Sequence, residues 1–195
     1  MSSLRVIAGT AKGVALAMPP SGPRATPRTR PTSQRLREAL FGMLDAADVD
    51  YARALDLYAG TGALGIEALS RGDGRCTFVE SDRRTVAVIR ENLQRARCGD
   101  RGDVVVGVVG RWRPAGSELH TLVLADPPYD DAAAWAAVER TVEGTLAPGA
   151  LIAVEHSARV PSPGALAGLP LWRTRRHGDG ALALYRADRH GKGRG

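Results

Sequence analysis

An acid, two prolines and an aromatic ring follow one another at Asp126, Pro127, Pro128 and Tyr129, directly after the apolar run of residues 121–124. The run predicts a buried parallel strand, and open α/β sheets bind their ligands beyond the carboxyl ends of such strands. Two prolines stiffen the turn and leave carbonyl oxygens free to accept hydrogen bonds. Acceptors of this kind beside a flat ring suit a planar group with an amine, such as a nucleobase. A proline-rich turn with an incidental acid is the alternative interpretation.

A second candidate site is the glycine-rich turn at Gly60, Thr61, Gly62 and Gly65, which matches G-x-G-x-x-G between a predicted strand and a predicted helix. Gly62 would let a ligand approach the backbone closely, whereas Gly65 would let the helix pack against the strand. Glu80 stands at the end of the next predicted strand, where a carboxylate can accept both hydroxyls of a ribose. A purely packing role for the glycines is the alternative.

Two cofactors suit this turn, a nicotinamide dinucleotide and S-adenosylmethionine. Asp56 lies in the predicted strand just before the turn. A carboxylate there would repel a pyrophosphate, but it suits the cationic amino-acid end of S-adenosylmethionine. No set of residues for hydride transfer accompanies the turn. The sequence therefore favours S-adenosylmethionine.

The elements that must position these residues alternate between strands and helices. Apolar runs predict five parallel strands, at residues 54–58, 77–80, 104–109, 120–125 and 151–154. An antiparallel pair at residues 170–176 and 181–186 follows, joined by an Asp-Gly turn. Runs at residues 4–8 and 14–18 predict a hairpin. The fold class is therefore α/β, a Rossmann-like doubly wound sheet that is mostly parallel, with a C-terminal antiparallel hairpin and a small N-terminal β-hairpin extension.

The chain divides into three predicted parts. Residues 1–31 form a basic hairpin and a loop rich in proline and arginine, residues 32–187 form the catalytic domain, and residues 188–195 form a disordered basic tail. Thr32 or Ser33 is predicted to cap the first helix.

The helix before the fifth parallel strand is the least clearly bounded element. Its apolar positions run from Trp135 through Val138 and Val142 to Leu146. Pro148, followed by a glycine, is predicted to end it.

The formal net charge is +6, and the basic surplus lies at the two ends of the chain. Residues 1–37 hold seven Lys or Arg and no acid, and residues 172–195 hold seven against two acids. A net acidic body with basic flanks suits a protein that binds a polyanion. Solvated basic termini are the alternative. The candidate RNA contacts are Arg5, Lys12, Arg24, Arg28 and Arg35.

Composition argues against several other classes. No apolar run is long enough for a membrane span, and the first residues lack the pattern of a signal peptide. Cys76 and Cys98 have neither metal-ligand spacing nor the number that a disulfide scaffold needs. We therefore expect a cytoplasmic monomer without a metal.

Five ordered motifs in this chain carry a resemblance to a known family. They stand at residues 5–9, 30–33, 35–41, 55–72 and 126–129. Together they resemble the RsmD family of bacterial small-subunit rRNA guanine-N2 methyltransferases, over residues 4–186. The resemblance implies a class I methyltransferase fold with S-adenosylmethionine as the methyl donor. The implied acceptor is the exocyclic N2 of guanine 966 of 16S rRNA in the assembling 30S subunit.

The resemblance also implies functional residues. The implied catalytic group is Asp126, Pro127, Pro128 and Tyr129. The implied cofactor contacts are Asp56, Tyr58, Gly60, Thr61, Gly62, Glu80, Arg30 and Thr32. The family usually carries Asn or Asp after the third strand, where it contacts the adenine, but residues 106–111 offer neither.

Guanine N2 is a poor nucleophile because its lone pair is delocalised into the ring. We hypothesise that the Asp126 carboxylate and the Pro127 carbonyl accept hydrogen bonds from this amine, while Tyr129 stacks on the base. A DNA amino-methyltransferase acting on adenine N6 or cytosine N4 is one alternative, and a catalytically silent RNA-binding assembly factor is another. The short basic hairpin, in place of a large DNA-recognition domain, favours RNA.

Overall fold

The computed structural model describes residues 4–19, 31–114, 118–129, 131 and 133–186, with only the main chain of residues 31–33. The helices are α1 (Pro31–Ala46), α2 (Ala63–Arg71), α3 (Arg83–Arg95) and α4 (Ala134–Val142). The strands are β1 (Arg53–Leu57), β2 (Arg75–Glu80), β3 (Gly102–Val106), β4 (His120–Ala125), β5 (Leu146–Ser157), β6 (Ala165–Leu166), β7 (Leu169–His177) and β8 (Gly180–Arg186). None of the helices in this part of the chain has the length and apolar character that a bilayer crossing requires.

The strands form one sheet in the order β3-β2-β1-β4-β5-β8-β7-β6. The first five strands in this order are parallel to one another. Strand β8 runs antiparallel to β5, and β7 runs antiparallel to β8. The order of the chain reverses at β1, which pairs with both β2 and β4. Such a reversal opens a crevice at the carboxyl ends of the strands, where doubly wound sheets bind ligands.

Helices cover both faces of the sheet. Leu36 of α1, Ile66 of α2 and Ile89 of α3 belong to one core cluster, and we call this side of the sheet the α1 face. Val138 and Val142 of α4 belong to the other cluster, on what we call the α4 face. The predicted doubly wound sheet with its C-terminal antiparallel hairpin is therefore confirmed.

The N-terminal extension is a short antiparallel hairpin docked on α2, in which the amides of Val6, Gly13 and Leu16 donate to the carbonyls of Val14, Val6 and Leu4. Arg5 and Ala15 form a single antiparallel bridge. The buried Glu67 carboxylate accepts the Ile7 and Ala8 amides at 2.7 and 2.9 Å. Gly9 has φ +79°, and a Cβ there would lie 1.8 Å from the carbonyl oxygen of Ser70. The predicted N-terminal hairpin is therefore present, and side chains of α2 hold it against the body of the fold.

Two predicted helix boundaries are wrong. Helix α1 already includes Pro31, so Thr32 and Ser33 lie inside it, and proline suits a first turn because its missing N–H needs no partner there. Helix α4 ends at Val142, and Gly144 follows with φ +72°, the left-handed conformation that stops helices. Leu146 and the proline and glycine after it therefore belong to β5.

The third strand is also shorter than predicted. It ends at Val106, and the Gly107 amide still donates to the Glu80 carbonyl at 2.9 Å. Beyond it the chain turns, with the Arg111 and Trp112 amides both donating to the Val108 carbonyl. The apolar residues 107–109 thus lie in a turn.

Candidate active site at the carboxyl ends of the strands

The turn between β1 and α2 has an unusual backbone. Tyr58, Gly60 and Gly62 all have positive φ, at 58°, 55° and 77°. A bulky residue such as Tyr58 adopts this conformation only when the surrounding structure imposes it. At Gly62 a Cβ would also lie 3.1 Å from Cγ2 of Ile89, so the turn requires glycine there. The absent side chain of Gly62 thus faces the core, which corrects the expectation that Gly62 opens the backbone to a ligand. A Cβ on Gly60 would lie 3.8 Å from the Tyr58 carbonyl oxygen, so close approach is possible there.

Glu80 is tied to the same turn from the end of β2. Its Oε2 accepts the Gly60 amide at 2.9 Å, and its Oε1 accepts the Asp82 amide at 2.9 Å. Ser81 donates to Oε1 as well, at 3.2 Å. The carboxylate is held in one orientation, and Oε2 keeps acceptor capacity because each carboxylate oxygen can accept two bonds.

Asp56 lies beneath the turn, inside β1. Its exposure is 1%, and its Oδ2 accepts the Gly65 amide at 2.8 Å, which anchors the first turn of α2. Burial raises the pKa of this carboxyl well above its ordinary value, and the charges of Asp126 and Glu80 raise it further, against the Gly65 bond. The sequence did not predict this anchoring role, and contact of Asp56 with the donor's ammonium group stays a prediction.

The side chain of Tyr58 packs against the core of the α4 face. Burial, followed by the nearby Asp131 carboxylate, raises the pKa of its phenol to about 12. The hydroxyl thus stays protonated. Its predicted contact with the cofactor stays a prediction.

Asn92 of α3 joins the glycine turn to the N-terminal segment. It is fully buried, and its Nδ2 donates to the carbonyls of Thr61, at 2.9 Å, and Ala17, at 3.0 Å. Its Oδ1 accepts the Ala17 amide at 2.6 Å. Sequence reasoning missed this residue, although an amide among the apolar positions of a predicted helix face was a signal.

The Asp-Pro-Pro-Tyr corner follows β4 as predicted. The Asp126 amide donates to the Leu57 carbonyl at 3.4 Å, so the corner lies beside the end of β1. Pro127 is buried, whereas Pro128 is exposed. The Pro128 carbonyl accepts the Asp131 amide at 3.1 Å, which corrects the expectation that both proline carbonyls stay free.

Tyr129 is held by residues that are distant in sequence. Its hydroxyl donates to Oε1 of Glu155 on β5 at 2.8 Å, and 36% of the residue is exposed. A Cβ on Gly180 would lie 2.7 Å from the Tyr129 hydroxyl and 2.4 Å from Cδ1 of Leu36. Glu155 and Gly180 were missed at the sequence level, because nothing local in the sequence links them to the corner.

A cleft of about 390 Å³ lies beside this corner, at the carboxyl end of the sheet. Its walls include Pro127, Tyr129, Trp135 and His156. The His156 ring contacts the carbonyl of Ser157 and the hydroxyl of Ser162, and it packs edge-on against Trp135. Burial lowers the pKa of this histidine. His156 therefore forms a neutral, hydrogen-bonded wall of the cleft.

The predicted RNA contacts fall into separate places. Arg5 donates to the Gly13 carbonyl at 2.8 Å, so it braces the N-terminal turn. Lys12 is exposed on the turn that contacts Ser70, which lies about 10 Å along α2 from the first residue of that helix. Arg35 is exposed on α1.

Some predicted residues cannot be placed. Arg24, Arg28 and Arg30 lie outside the described residues, as does the predicted tail of residues 188–195, and only the backbone of Thr32 is described. Among the residues with coordinates, no group of three or more His, Cys, Asp or Glu is arranged to bind a metal.

Comparison with known proteins shows which family the chain resembles. The family model described as conserved hypothetical protein 95 matches residues 4–186. The ribosomal RNA small subunit methyltransferase D of Escherichia coli K12 is 34% identical over 194 residues, which cover 97% of this chain and 92% of that protein. The chain belongs to this family. The predicted RsmD membership is therefore confirmed.

Solved structures agree with this membership. The candidate methyltransferase YhhF of Escherichia coli superposes with a TM-score of 0.75 at 33% identity, covering 95% of this chain and 98% of that one. An RNA methyltransferase of Salinibacter ruber, solved with S-adenosylhomocysteine, matches at a TM-score of 0.58 and 20% identity, covering 80% and 93%. The second likeness is one of fold alone. The predicted class I methyltransferase fold is confirmed.

Proposed function

We propose that this protein transfers the methyl group of S-adenosylmethionine to the exocyclic N2 of guanine 966 of 16S rRNA, in the assembling 30S subunit in the cytoplasm. The observation that carries the proposal is the grouping of Asp56, Glu80 and Asp126 at the carboxyl ends of three adjacent strands. Their charges act on one another, since Asp126 and Glu80 both raise the pKa of Asp56. A negative crevice of this kind favours a cationic donor and an amine acceptor, and it disfavours a pyrophosphate.

The residues of the glycine turn fit this donor. Glu80 is orientated by the Gly60 and Asp82 amides and offers an acceptor to ribose hydroxyls. Gly60 leaves the backbone open to close approach, since a Cβ there would lie 3.8 Å from the Tyr58 carbonyl oxygen. When bound, S-adenosylmethionine would supply an electrophilic methyl group on a sulfonium. The turn is fixed by hydrogen bonds within the chain, so little ordering is needed when the donor binds.

The corner residues would activate and align the acceptor. The Asp126 carboxylate and the Pro127 carbonyl accept hydrogen bonds from the guanine amine, which concentrates electron density on N2. Alignment of this kind can supply about 7–11 kcal/mol of the barrier in favourable cases. Tyr129, held by Glu155, stacks on the base and contributes roughly 1–3 kcal/mol. The target base must leave its stack to reach this corner.

The names of the relatives support ribosomal RNA as the substrate class. The Escherichia coli relative at 34% identity is named a ribosomal RNA small subunit methyltransferase. The five motifs of the resemblance include both the glycine turn and the Asp-Pro-Pro-Tyr corner, which is where that chemistry would take place.

The test is methyl transfer from labelled donor to three substrates: 30S subunits from cells that lack the modification, mature 30S subunits and duplex DNA. We expect label only on the unmodified subunits, and mapping should place it at N2 of guanine 966. Label on DNA adenine or cytosine would replace the proposal with a DNA amino-methyltransferase. Tight binding of subunits without any transfer or donor affinity would indicate a silent assembly factor.

A further inference from the structure

Strand β7 carries three arginines in the stretch Arg173–Arg176, and all four residues of this stretch are exposed. The neighbouring β6 pairs with Leu169 and Pro170, so no strand within the described residues pairs with the arginines on this edge of the sheet. None of the three forms an ion pair with another residue of the described chain. Charges on an edge strand can serve solely to prevent edge-to-edge aggregation, and this is the alternative to a binding role.

Strand register assigns the arginines to different faces. Arg175 pairs with Leu182, which pairs with Glu155 on β5, and paired residues point to the same face of a sheet. Arg175 therefore lies on the α1 face, two strands and roughly 10 Å from the residue that holds Tyr129. Arg176 pairs with Ala181, which pairs with His156, so Arg176 lies on the α4 face.

A register shift brings one more arginine to the α1 face. The shift lies between Leu171 and Arg173, so that Trp172 and Arg173 both face this side. Trp172 packs on the α1-face core, and the Arg173 guanidinium lies 4.2 Å from the centre of its ring. Stacking of this kind orientates a guanidinium while leaving its N–H groups able to bind an anion.

We infer that Arg173 and Arg175 bind the phosphates of the RNA strand that delivers its base to Tyr129. The inference rests on the proposed function, because it is the base at the Asp-Pro-Pro-Tyr corner that brings the strand to this face. Arg175 and Glu155 share the face on which Tyr129 is held, and Gly180 of the intervening strand touches the Tyr129 hydroxyl. Helix α1 packs on β7 and β8, and its exposed Arg35 adds a positive charge on the same side of the sheet.

The test is the salt dependence of binding to unmodified 30S subunits. Neutralising a phosphate contact lowers the slope of log K against log salt by about 0.7 to 0.9. For the variant R173Q/R175Q we expect a slope smaller by roughly 1.4 to 1.8, and an affinity weaker by at least about tenfold at 0.1 M salt. R173K/R175K should keep the slope of the native protein. If the double glutamine variant is unstable, R175Q alone should lose about half as much.

Two variants serve as matched controls. R176Q removes the same charge from the opposite face of the same strand, and R53Q removes one from the amino end of β1, where Arg53 pairs with the exposed Glu118. Both should keep the native slope, and every variant should bind S-adenosylhomocysteine with native affinity. An unchanged slope in R173Q/R175Q, or an equal loss in R176Q, would overturn the inference.

The two proposals fail separately. If native protein transfers no methyl group to the subunits but the slope still depends on Arg173 and Arg175, the proposed reaction is wrong and the RNA surface stands. If transfer occurs and the slope does not depend on them, the surface alone is wrong.

Discussion

The proposed donor half of the site and the proposed acceptor corner are built in opposite ways. Around the glycine turn, the side chains of Asp56, Glu80 and Asn92 are each bound to backbone groups of the turn or of the helix that follows it. At the corner, Pro128 and Tyr129 are exposed, and the Tyr129 hydroxyl donates to Glu155 on β5. The donor half is thus rigid before any ligand arrives, whereas the corner stays open toward a large substrate.

Under the proposed function, this difference separates the residues that bind the donor from those that align the acceptor. A small donor gains affinity from groups that are already orientated, because little entropy is lost when it binds. A nucleobase presented on a large RNA needs access, and its alignment depends on contacts outside the corner. Variants in the donor half should therefore change donor affinity, and variants at the corner should change the transfer rate.

The largest expected effect is at Asp126. Asp126→Ala should lower the rate of transfer by at least 10²- to 10³-fold, as expected when a group that stabilises developing charge is removed. Single-turnover transfer measures this rate, and calorimetry should find donor affinity within about threefold of the native value. Asp131→Ala removes an exposed acid from the same cleft and should retain most of the rate. Equal losses in both variants would contradict a specific role for Asp126.

A Glu80 variant should lose affinity for the donor and keep its transfer rate, which is the reverse of the result expected for Asp126→Ala. Glu80→Gln keeps an oxygen that can accept the Gly60 amide but loses the charge, and hydrogen bonds to charged groups contribute about 1.5–3 kcal/mol. We expect donor affinity to fall by about tenfold to a hundredfold, with a transfer rate close to native at saturating donor. Glu91→Gln, at the exposed pair with Arg95 on α3, is the control. If the transfer rate falls while the affinity for the donor stays native, Glu80 does not act by binding the donor.

A smaller effect is expected from the pair of Tyr129 and Glu155. Tyr129→Phe and Glu155→Gln each weaken their hydrogen bond, and each should lower kcat/KM for RNA by a few-fold, or about 1 kcal/mol. The double variant should lose little more than either single variant, because both changes act on one interaction. Additive losses would show that Glu155 acts independently of the ring.

The smallest expected effect is on stability, at Asp56. A carboxyl whose pKa is raised in the folded protein binds its proton more tightly there, so the unfolding free energy falls as pH rises above about 4. Asp56→Asn removes this dependence, and its stability relative to the native protein should increase between pH 5 and pH 8. Urea unfolding across this range measures the difference. A difference that does not change with pH would contradict the raised pKa.

The same Asp56→Asn variant also tests the predicted contact with the donor. If Asp56 only anchors α2, calorimetry should find nearly native affinity for S-adenosylmethionine. A loss of more than about tenfold would favour direct contact with the ammonium end.

Sequence patterns predicted the glycine turn and the position of Glu80 well because both are local. Gly60, Gly62 and Glu80 lie within a single strand-helix-strand unit, where spacing along the chain determines spacing in the fold. The errors arose where tertiary contacts replaced local rules. Sequence reasoning did not predict that Glu67 and Ser70 bind the N-terminal hairpin, and Leu146 extends β5 rather than α4.

The amino-acid sequence by itself determined the order of strands and helices, the glycine turn and the carboxylates at the strand ends. These features follow from periodicity and from the backbone freedom of glycine, which act over a few residues. Only the tertiary structure decided that Glu155 and Gly180 would contact Tyr129. It also decided that Arg173 and Arg175 of β7 would lie on the same face of the sheet as Glu155. Those contacts join residues far apart in the chain, so they depend on sheet register, which a one-residue shift would reverse.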